Sequence, residues 1–307
     1  MTTSTSLSAP ITTPAFQQVS LARKAKNGVA TVLVWLSFLI AVVPLVWVLY
    51  TVVANGITRI PFSNWWTEDL GSVLSDEVGG GVLHAIIGTL LQGIVCAIIA
   101  VPLGLLVSIY LVEYGRGTKL AKVTTFMVDI LSGVPSIVAA LFIYALWITT
   151  FGLPRSAFAV SLALVLLMIP VVVRSSEEML RIVPDDLREA SYALGVPKWK
   201  TIIKIVLPTA LSGIISGVMM ALARVMGETA PLLVLVGYSA FEHWNIFKGE
   251  MASLPLLMNN ERVTNTMSVG TVGFERIWGA ALTLVIIIAL INLLATVISR
   301  VVAPKKK

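Results

Sequence analysis

Long apolar runs separated by short charged segments dominate the pattern of this chain. Six runs are long enough to cross a bilayer, which takes roughly 20 mostly apolar residues: 29–53, 82–112, 123–150, 156–173, 205–236 and 277–299. Because apolar and polar residues do not alternate with period two, the runs predict helices and not the strands of a membrane barrel. The expected fold class is an all-α integral membrane protein with six transmembrane helices.

The composition excludes a soluble globule and a disordered chain. Of the 307 residues, 57% are apolar and 12% are charged, whereas about a quarter are charged in an average soluble protein. Cys96 is the only cysteine, which excludes an intrachain disulfide framework. The net charge of +6 comes from basic residues scattered between the apolar runs. This distribution favours a role in membrane orientation over binding to nucleic acid.

The basic residues predict the orientation of the spans. If the N-terminus is cytoplasmic, 16 Lys and Arg residues fall inside and 5 outside, and Arg224 lies within a span. Since basic loops stay on the cytoplasmic side, we expect both termini and the segment 174–204 inside. The segments 54–81 and 237–276 are then expected outside.

Three segments make up the expected domain organisation. Residues 1–28, which begin with a stretch rich in Ser, Thr and Pro, are expected to form a disordered cytoplasmic tail. Residues 29–302 form the transmembrane domain, and residues 303–307 form a basic tail.

The sequence lacks the motifs of an ATPase, a metal site or a hydrolase. It contains no G-x-x-x-x-G-K-[ST] loop, no H-E-x-x-H helix and no Cys/His cluster. The spacing brings together no nucleophile, base and orienting group. We therefore expect no catalytic residue, no metal and no cofactor in this chain. Transport remains as a function, or a structural and signalling role.

A charged but periodic segment, 174–204, follows the fourth run. Pro184 and the two acids after it form a favourable helix start, because acids stabilise the positive end of the helix dipole. Gly195 suits the left-handed position after a helix. These signals predict a short helix over about 185–195. One face of it would be an apolar stripe: Leu187, Ala190, Tyr192, Ala193 and Leu194.

The same segment resembles the coupling motif of ABC importer permeases. Glu189, Ala190 and Ser191 are followed after three residues by Gly195, and Leu207-Pro208 completes the spacing, with Ser191 in place of the usual second Ala. The resemblance implies the six-helix, MetI-like fold of type I ABC importer permeases. It also implies that Glu189, Ala190, Ser191 and Gly195 dock on a separate ATPase subunit.

Further stretches are similar to the PstA-type permeases of phosphate importers. The fifth run contains ARVMGETAPLL, Ala223 to Leu233, and the stretches GVPSIVAAL, IPVVVRSSEEMLRIVP and LREASYALGVPKWKTI agree as well. The sister permease usually has GETMA in place of GETAP, which favours the A-type. The resemblance implies inorganic phosphate as substrate, a homologous PstC-like permease, two PstB-like ATPase subunits and an extracytoplasmic PstS-like phosphate-binding protein. It also implies a multi-pass location among the lipids of a bacterial plasma (inner) membrane.

Arg224 and Glu228 of the fifth run are candidates for the substrate pathway. On a helical wheel Arg224 lies about 20° from Gly213, on a face whose small residues suit close helix packing. Glu228 follows at i+4, within reach of an ion pair. A charge in the membrane costs about 2.5–3.5 kcal/mol on insertion scales. Position alone leaves open an anion site or gate and an ion pair that only supports packing, and the resemblance favours the anion site.

Two other charges, Arg174 and Asp129, also have expected roles. Arg174, at the expected cytoplasmic end of the fourth run, is either a third pathway residue or a positive-inside anchor. Asp129, in the third run, is expected to hold a neighbouring helix or to cap a break at residues 133–136.

Three other functions stay open. The first is import of another oxyanion, such as sulfate or molybdate. The second is an ion-coupled secondary carrier with Glu228 and Asp129 as a proton relay. The third is a membrane scaffold or sensor without a substrate.

Overall fold

The computed structural model describes residues 20–74, 77–265 and 268–302, and these residues form helices but no strand. The α-helices are α1 Leu21–Gly56, α2 Ser63–Thr67, α3 Leu83–Ile109, α4 Lys119–Ser132, α5 Ser136–Ile143, α6 Ala157–Ile182, α7 Asp185–Ala193, α8 Lys198–Thr201, α9 Leu207–Met226, α10 Ala230–Leu235, α11 Leu254–Thr264 and α12 Val272–Val302. π-Helical segments extend α3 and α5 and join α8 to α9: Tyr110–Tyr114, Tyr144–Thr150 and Ile202–Val206. The all-α fold class is confirmed. The predicted tails lie outside the described residues at 1–19 and 303–307.

Five helices of the described chain are long and apolar enough to cross a membrane, and a bent pair makes a sixth span if it counts as one. The five helices are Leu21–Gly56, Leu83–Tyr114, Ala157–Ile182, Lys198–Met226 and Val272–Arg300. The predicted runs 82–112 and 277–299 agree with the second and the last of them.

The chain divides into two compact units between Thr51 and Val52. In the first unit, α1 exposes nearly all of its side chains. It begins at Leu21 rather than at residue 29, so residues 21–28 are not part of a disordered tail. The reason is that Ala, Lys and Arg in this stretch are good helix formers.

The core of the second unit is built around α6. This helix is apolar on all sides over most of its length, which suits a helix surrounded by neighbours, and it packs against α3, α4, α5, α9 and α10. Glycines permit close contacts with it. A Cβ on Gly104 of α3 would lie 2.7 Å from Val172 Cγ1, and a Cβ on Gly213 of α9 would lie 2.6 Å from Met179 Cγ. The predicted close packing of α9 through small residues is therefore confirmed.

The third predicted span, 123–150, is wrong as a single helix. α4 and α5 are separated by a short break and bent by 104°. Pro135 lies in the break with φ −61°. Because a proline ring fixes φ and has no N–H to donate, it interrupts the helical hydrogen bonds.

The fourth span is longer than the predicted 156–173. α6 continues to Ile182, through residues expected in the loop 174–204. Glu177 stabilises this extension through ion pairs with Arg174 at 3.0 Å and Arg181 at 2.7 Å. These residues are three and four positions apart, so they are neighbours on one helix face. Charge in this stretch indicates a polar helix face and not a loop.

The fifth predicted span, 205–236, consists of two helices. A continuous helical stretch runs Lys198–Met226, and α10 begins at Ala230. Pro231 accounts for the break, because a proline ring clashes with the carbonyl four residues earlier. Glu228 therefore lies between two helices and not within one.

Two of the connecting segments are tied to the long helices by side-chain hydrogen bonds. Trp65 Nε1 of α2 donates to Thr283 Oγ1 of α12 at 2.9 Å. The backbone N–H of Leu254 in α11 donates to Thr89 Oγ1 of α3 at 2.8 Å. The segments expected outside the membrane are thus packed against the transmembrane bundle.

Candidate functional site

The short helix predicted over about 185–195 forms as α7, Asp185–Ala193. α7 has two acids in its first turn, and Gly195 follows in the left-handed region at φ +73°, where a side chain is strained. Glu189 and Ala190 are exposed. Ser191 is buried, and its hydroxyl lies 2.8 Å from that of Thr201. α7 therefore presents Glu189 and Ala190 outward and is held by Ser191.

The apolar stripe of α7 is not packed against the rest of the described chain. Leu187 and Tyr192 are exposed, and Leu194 is 83% exposed. The buried residues of α7 are Arg188 and Ser191 instead. α7 is attached through polar contacts and leaves apolar side chains available to another protein.

Sequence reasoning missed two residues of this region, Arg188 and Glu113. Arg188 is 5% exposed and Glu113 7%, and Arg188 Nη2 lies 2.9 Å from Glu113 Oε1. The two are 75 positions apart, so local spacing gives no sign of the pair. The one available signal is a carboxylate at the end of an apolar span, which requires a partner once it is buried.

Arg224 lies in the last turn of α9 with an exposed side chain. Ala221 and Val225 beside it are buried, whereas Met220 and Ser216, one and two turns earlier, are exposed. Among the described residues, none forms an ion pair or a side-chain hydrogen bond with Arg224. Its guanidinium is therefore open on a face of the span that this part of the chain does not cover.

The expected ion pair between Arg224 and Glu228 is wrong for the described chain. Glu228 is not at a helical i+4 position because α9 ends at Met226. The expected wheel face is also divided, since Gly213 packs on α6 while Arg224 is exposed. An intrahelical ion pair that supports packing is thus not the role of Arg224 in this structure.

Glu228 borders a small polar pocket between α3, α6 and the break after α9. Thr89, Gln92 and Ser253 contribute the other polar side chains. Gln92 is buried, and its Nε2 has no hydrogen-bond partner among the described residues. Such an unpaired buried amide is uncommon. The pocket places a free amide donor beside a half-buried carboxylate, which suits a small polar group.

Arg174 lies within the length of α6, away from both of its ends. Its guanidinium is bound by two carboxylates. It contacts Asp129 of α4 and Glu177, the latter at 3.0 Å. Its expected position at the end of the fourth span is wrong, because α6 continues to Ile182. Asp129 holds a neighbouring helix, one of its two expected roles.

The candidate residues are not assembled into one cluster by this chain. Asp129 contacts Arg174, and the adjacent Ser175 packs against Gly217 of α9. The rest of α9 beyond Gly217 is about 14 Å long at 1.5 Å per residue, and Glu228 lies beyond its end. A direct proton relay between Asp129 and Glu228 is therefore not formed.

A buried polar cluster joins the two segments expected outside the membrane. Arg276 donates to the carbonyls of Glu77 at 2.8 Å and Leu74 at 3.3 Å, and its Nη1 lies 3.7 Å from Glu261 Oε2. Burial raises the pKa of Glu261, and Arg276 opposes this rise. Burial likewise raises the pKa of Tyr238. The cluster holds the two segments together.

Relatives of this chain are phosphate permeases. A phosphate transport system permease protein PstA 1 of Mycobacterium tuberculosis (strain CDC 1551 / Oshkosh) is 56% identical over 310 residues and is matched over 100% of both chains. The PstA protein of Mycobacterium leprae (strain TN) is 59% identical over 94% of this chain and 93% of its own. That of Yersinia pestis is 38% identical over 93% and 92%.

Two solved structures share the fold at low sequence identity. A bacterial alginate ABC transporter, in complex with an alginate-bound periplasmic protein, aligns with a TM-score of 0.61 and 13% identity over 94% of this chain and 99% of its own. An inward-facing MetNI methionine ABC transporter aligns with a TM-score of 0.55 and 21% identity over 73% and 95%. The expected type I, MetI-like permease fold is confirmed.

Residues 100–307 match the family described as binding-protein-dependent transport system inner membrane component. Members of this family are membrane-embedded transporter subunits and not enzymes, and the ATPase is a separate subunit. The chain therefore belongs to this family and, within it, to the PstA-type permeases.

Proposed function

We propose that this chain is the permease subunit of an ATP-driven importer of inorganic phosphate and lines half of its translocation pathway. A homologous, PstC-like permease would line the other half. The observation that carries this proposal is the open Arg224 on a transmembrane helix of a chain that resembles phosphate permeases over its full length.

The cost of an isolated charge supports a pathway position for Arg224. A guanidinium facing lipid costs about 2.5–3.5 kcal/mol or more, and no described residue offers an anionic partner to offset that cost. Arg224 is therefore expected to face the second permease and the aqueous path between the two. There its planar fork can donate two parallel hydrogen bonds to one phosphate.

The other two pathway candidates, Glu228 and Arg174, have different surroundings. Glu228 lies just beyond the helix that carries Arg224, and we assign it to the wall of the pathway beside the Gln92 pocket. Arg174 is already paired with Asp129 and Glu177, and Glu177 also pairs with Arg181. An anion bound at Arg174 would have to replace one of these carboxylates.

The surfaces of the chain suit the partners of such an importer. The exposed stripe of α7, with Glu189 and Ala190, fits docking of an ATPase, and a complex with two permeases would take two PstB-like ATPases. The joined segments 54–81 and 237–276 would receive an extracytoplasmic, PstS-like phosphate-binding protein. The complex is assigned to a bacterial inner membrane.

Other substrates and other energy sources would give different results in transport assays. Sulfate or molybdate would bind Arg224 by the same chemistry, and no described contact favours either of them. An ion-coupled carrier requires communication between Asp129 of α4 and Glu228, which lies beyond the end of α9, and no direct contact joins the two in the described chain.

Transport by the co-expressed complex in membrane vesicles tests the proposal. We expect uptake of radiolabelled phosphate that requires ATP inside the vesicles and the binding protein outside, and that excess sulfate or molybdate does not inhibit. Uptake of sulfate or molybdate in place of phosphate would show that one of these oxyanions is the substrate. Uptake driven by a proton gradient without ATP would contradict the importer.

A further inference from the structure

The guanidinium of Arg188 uses all of its donors within the described chain. Its Nε and Nη2 donate to Glu113 Oε1 at 3.0 and 2.9 Å. Nη2 also donates to the carbonyl of Leu180 at 3.0 Å, and Nη1 donates to the carbonyl of Val183 at 2.6 Å and to Asp185 Oδ1 at 3.1 Å. An arginine has five N–H donors. Arg188 thus has none left for a partner protein.

Two of these bonds fasten α7 to the end of α6. Leu180 lies in the last turn of α6, and Val183 directly follows the helix. Carbonyls at a helix C-terminus have no partner within the helix, and they carry its partial negative charge. The guanidinium of Arg188 in α7 donates hydrogen bonds to these carbonyls and offsets the partial negative charge.

Glu113 connects the same arginine to the end of another span. It lies in the π-helical segment Tyr110–Tyr114, which extends α3. The backbone carbonyl of Glu113 accepts a further hydrogen bond, from Lys198 Nζ, and this ammonium also lies 4.8 Å from the centre of the Tyr114 ring. Both α7 and the first residue of α8 are therefore bound to the short segment that extends α3.

A third connection leads toward the pathway. The hydroxyls of Ser191 and Thr201 lie 2.8 Å apart, and both residues are buried. Thr201 ends α8, which continues through a π-helical segment into α9, the helix with Arg224. The inner face of α7 therefore contacts three transmembrane segments, while its outer face is exposed.

We propose that Arg188 is a positioning residue for ATP coupling, which makes α7 and the adjoining ends of α3 and α6 move as one body. This inference rests on the proposed docking of an ATPase on α7. Surface ion pairs hold flexible side chains weakly. Arg188 is instead buried and fixed by a planar set of bonds to two spans, so a displacement of α7 is passed on to the bundle. Without Arg188, α7 would still meet the ATPase but would move separately from the spans.

The coupling ratio, phosphate transported per ATP hydrolysed, tests this role in the complete reconstituted complex. For Arg188→Leu we expect this ratio to fall about tenfold, within the range typical of coupling between sites, with the ATPase subunits retained. Arg188→Lys keeps the charge but not the planar fork, and should give an intermediate ratio. Arg181→Leu is the matched control, because Arg181 is 64% exposed and bonds to Glu177 of its own helix.

Glu113→Gln covers the case in which Arg188→Leu does not assemble. It keeps the size of the side chain and one acceptor oxygen, so we expect an assembled complex with a lowered ratio. A parental ratio in Arg188→Leu, or in Glu113→Gln where the first does not assemble, would overturn the inference, since a merely structural role changes the amount of complex and not its coupling.

Spin labels on exposed positions give a readout that does not depend on the substrate. Labels at Tyr114→Cys and Leu194→Cys, with Cys96→Ala, would report the separation of the α3 end from α7 in the complex, without nucleotide and after trapping with ATP and vanadate. We expect one narrow distance distribution in both states with Arg188 present, and a broad or state-dependent one with Arg188→Leu. Identical distributions with and without Arg188 would overturn the inference. A parent complex with no ATP-dependent phosphate uptake would instead contradict the proposed function.

Discussion

Arg188 and Arg224 occupy opposite environments in one chain. Arg188 is buried and donates hydrogen bonds to two carboxylates and two backbone carbonyls. Arg224 lies exposed in a transmembrane helix, and no residue of the described chain pairs with it.

The comparison distinguishes an arginine that is fully paired within the described chain from an arginine whose partner must come from outside it. A buried, saturated arginine has no capacity for a ligand, so its effect is mechanical. An unpaired arginine in a span is costly unless a partner subunit, water or a substrate meets it. The next experiments test whether this distinction holds, beginning with the largest expected effect.

Arg224→Gln should abolish phosphate uptake with little change in stability. The substitution removes the anion contact, and an unpaired exposed side chain contributes within about 0.5 kcal/mol to folding. Arg224→Lys should transport poorly, because lysine lacks the planar fork. Uptake and membrane level are measured together.

The double variant Arg224→Gln with Glu228→Gln is the decisive control. Since the two residues are not paired in the described chain, removing both charges should not restore uptake. Near-parental uptake by the double variant at matched membrane levels would assign Arg224 to a structural pair.

Glu189→Lys and Gly195→Asp should uncouple ATP hydrolysis from uptake while the permease still inserts. Glu189 is exposed on α7, so a reversed charge would face the docked ATPase. A Cβ on Gly195 meets nothing within 4 Å in this chain, and its φ of +73° makes a side chain cost about 1–2 kcal/mol.

Gly195→Asn separates the charge of Gly195→Asp from the strain and size of its side chain. Asn and Asp have nearly the same size and tolerate the left-handed conformation alike, but Asn carries no charge. Coupling retained in Gly195→Asn would attribute the defect of Gly195→Asp to its charge. Normal ATP-driven uptake by both Glu189→Lys and Gly195→Asp would contradict the assignment of α7 as the coupling helix.

Glu113→Ala should destabilise the permease by about 3–5 kcal/mol, because it leaves Arg188 charged and buried without its main partner. Asp185→Asn removes the exposed partner of the same arginine and should cost no more than about 1 kcal/mol. Thermal unfolding in detergent compares the two. Equal losses of stability in the two variants would show that the burial of Glu113 does not determine its contribution to stability.

Asp129→Asn should have the smallest effect, at most about 1 kcal/mol in stability and little change in uptake. Its pair with Arg174 is partly exposed, and Arg174 keeps Glu177 as a second partner. The proton-relay alternative predicts instead that Asp129→Asn stops transport. Uptake by this variant, measured beside that of Arg174→Gln, distinguishes a helix contact from a pathway role.

Much of the architecture follows from local signals in the sequence. Apolar runs located the five span-length helices of the described chain and the bent pair α4 and α5, because any segment that crosses hydrocarbon needs the same length and polarity. Pro184 and Gly195 bounded α7 because caps act within a few residues. The same signals failed where charges pair along a helix, as at Glu177, and where Pro231 interrupts an apolar run, since hydropathy averages over both features.

The sequence by itself determined the membrane class, the approximate spans, the short helix α7 and the presence of an arginine within a span, since each depends on neighbours along the chain. Tertiary structure alone decided that Arg188 is buried against Glu113, that Arg224 is exposed and unpaired among the described residues, and that the apolar stripe of α7 faces away from the bundle. Burial and pairing depend on contacts between residues far apart in the chain, and only the packed helices bring those residues together.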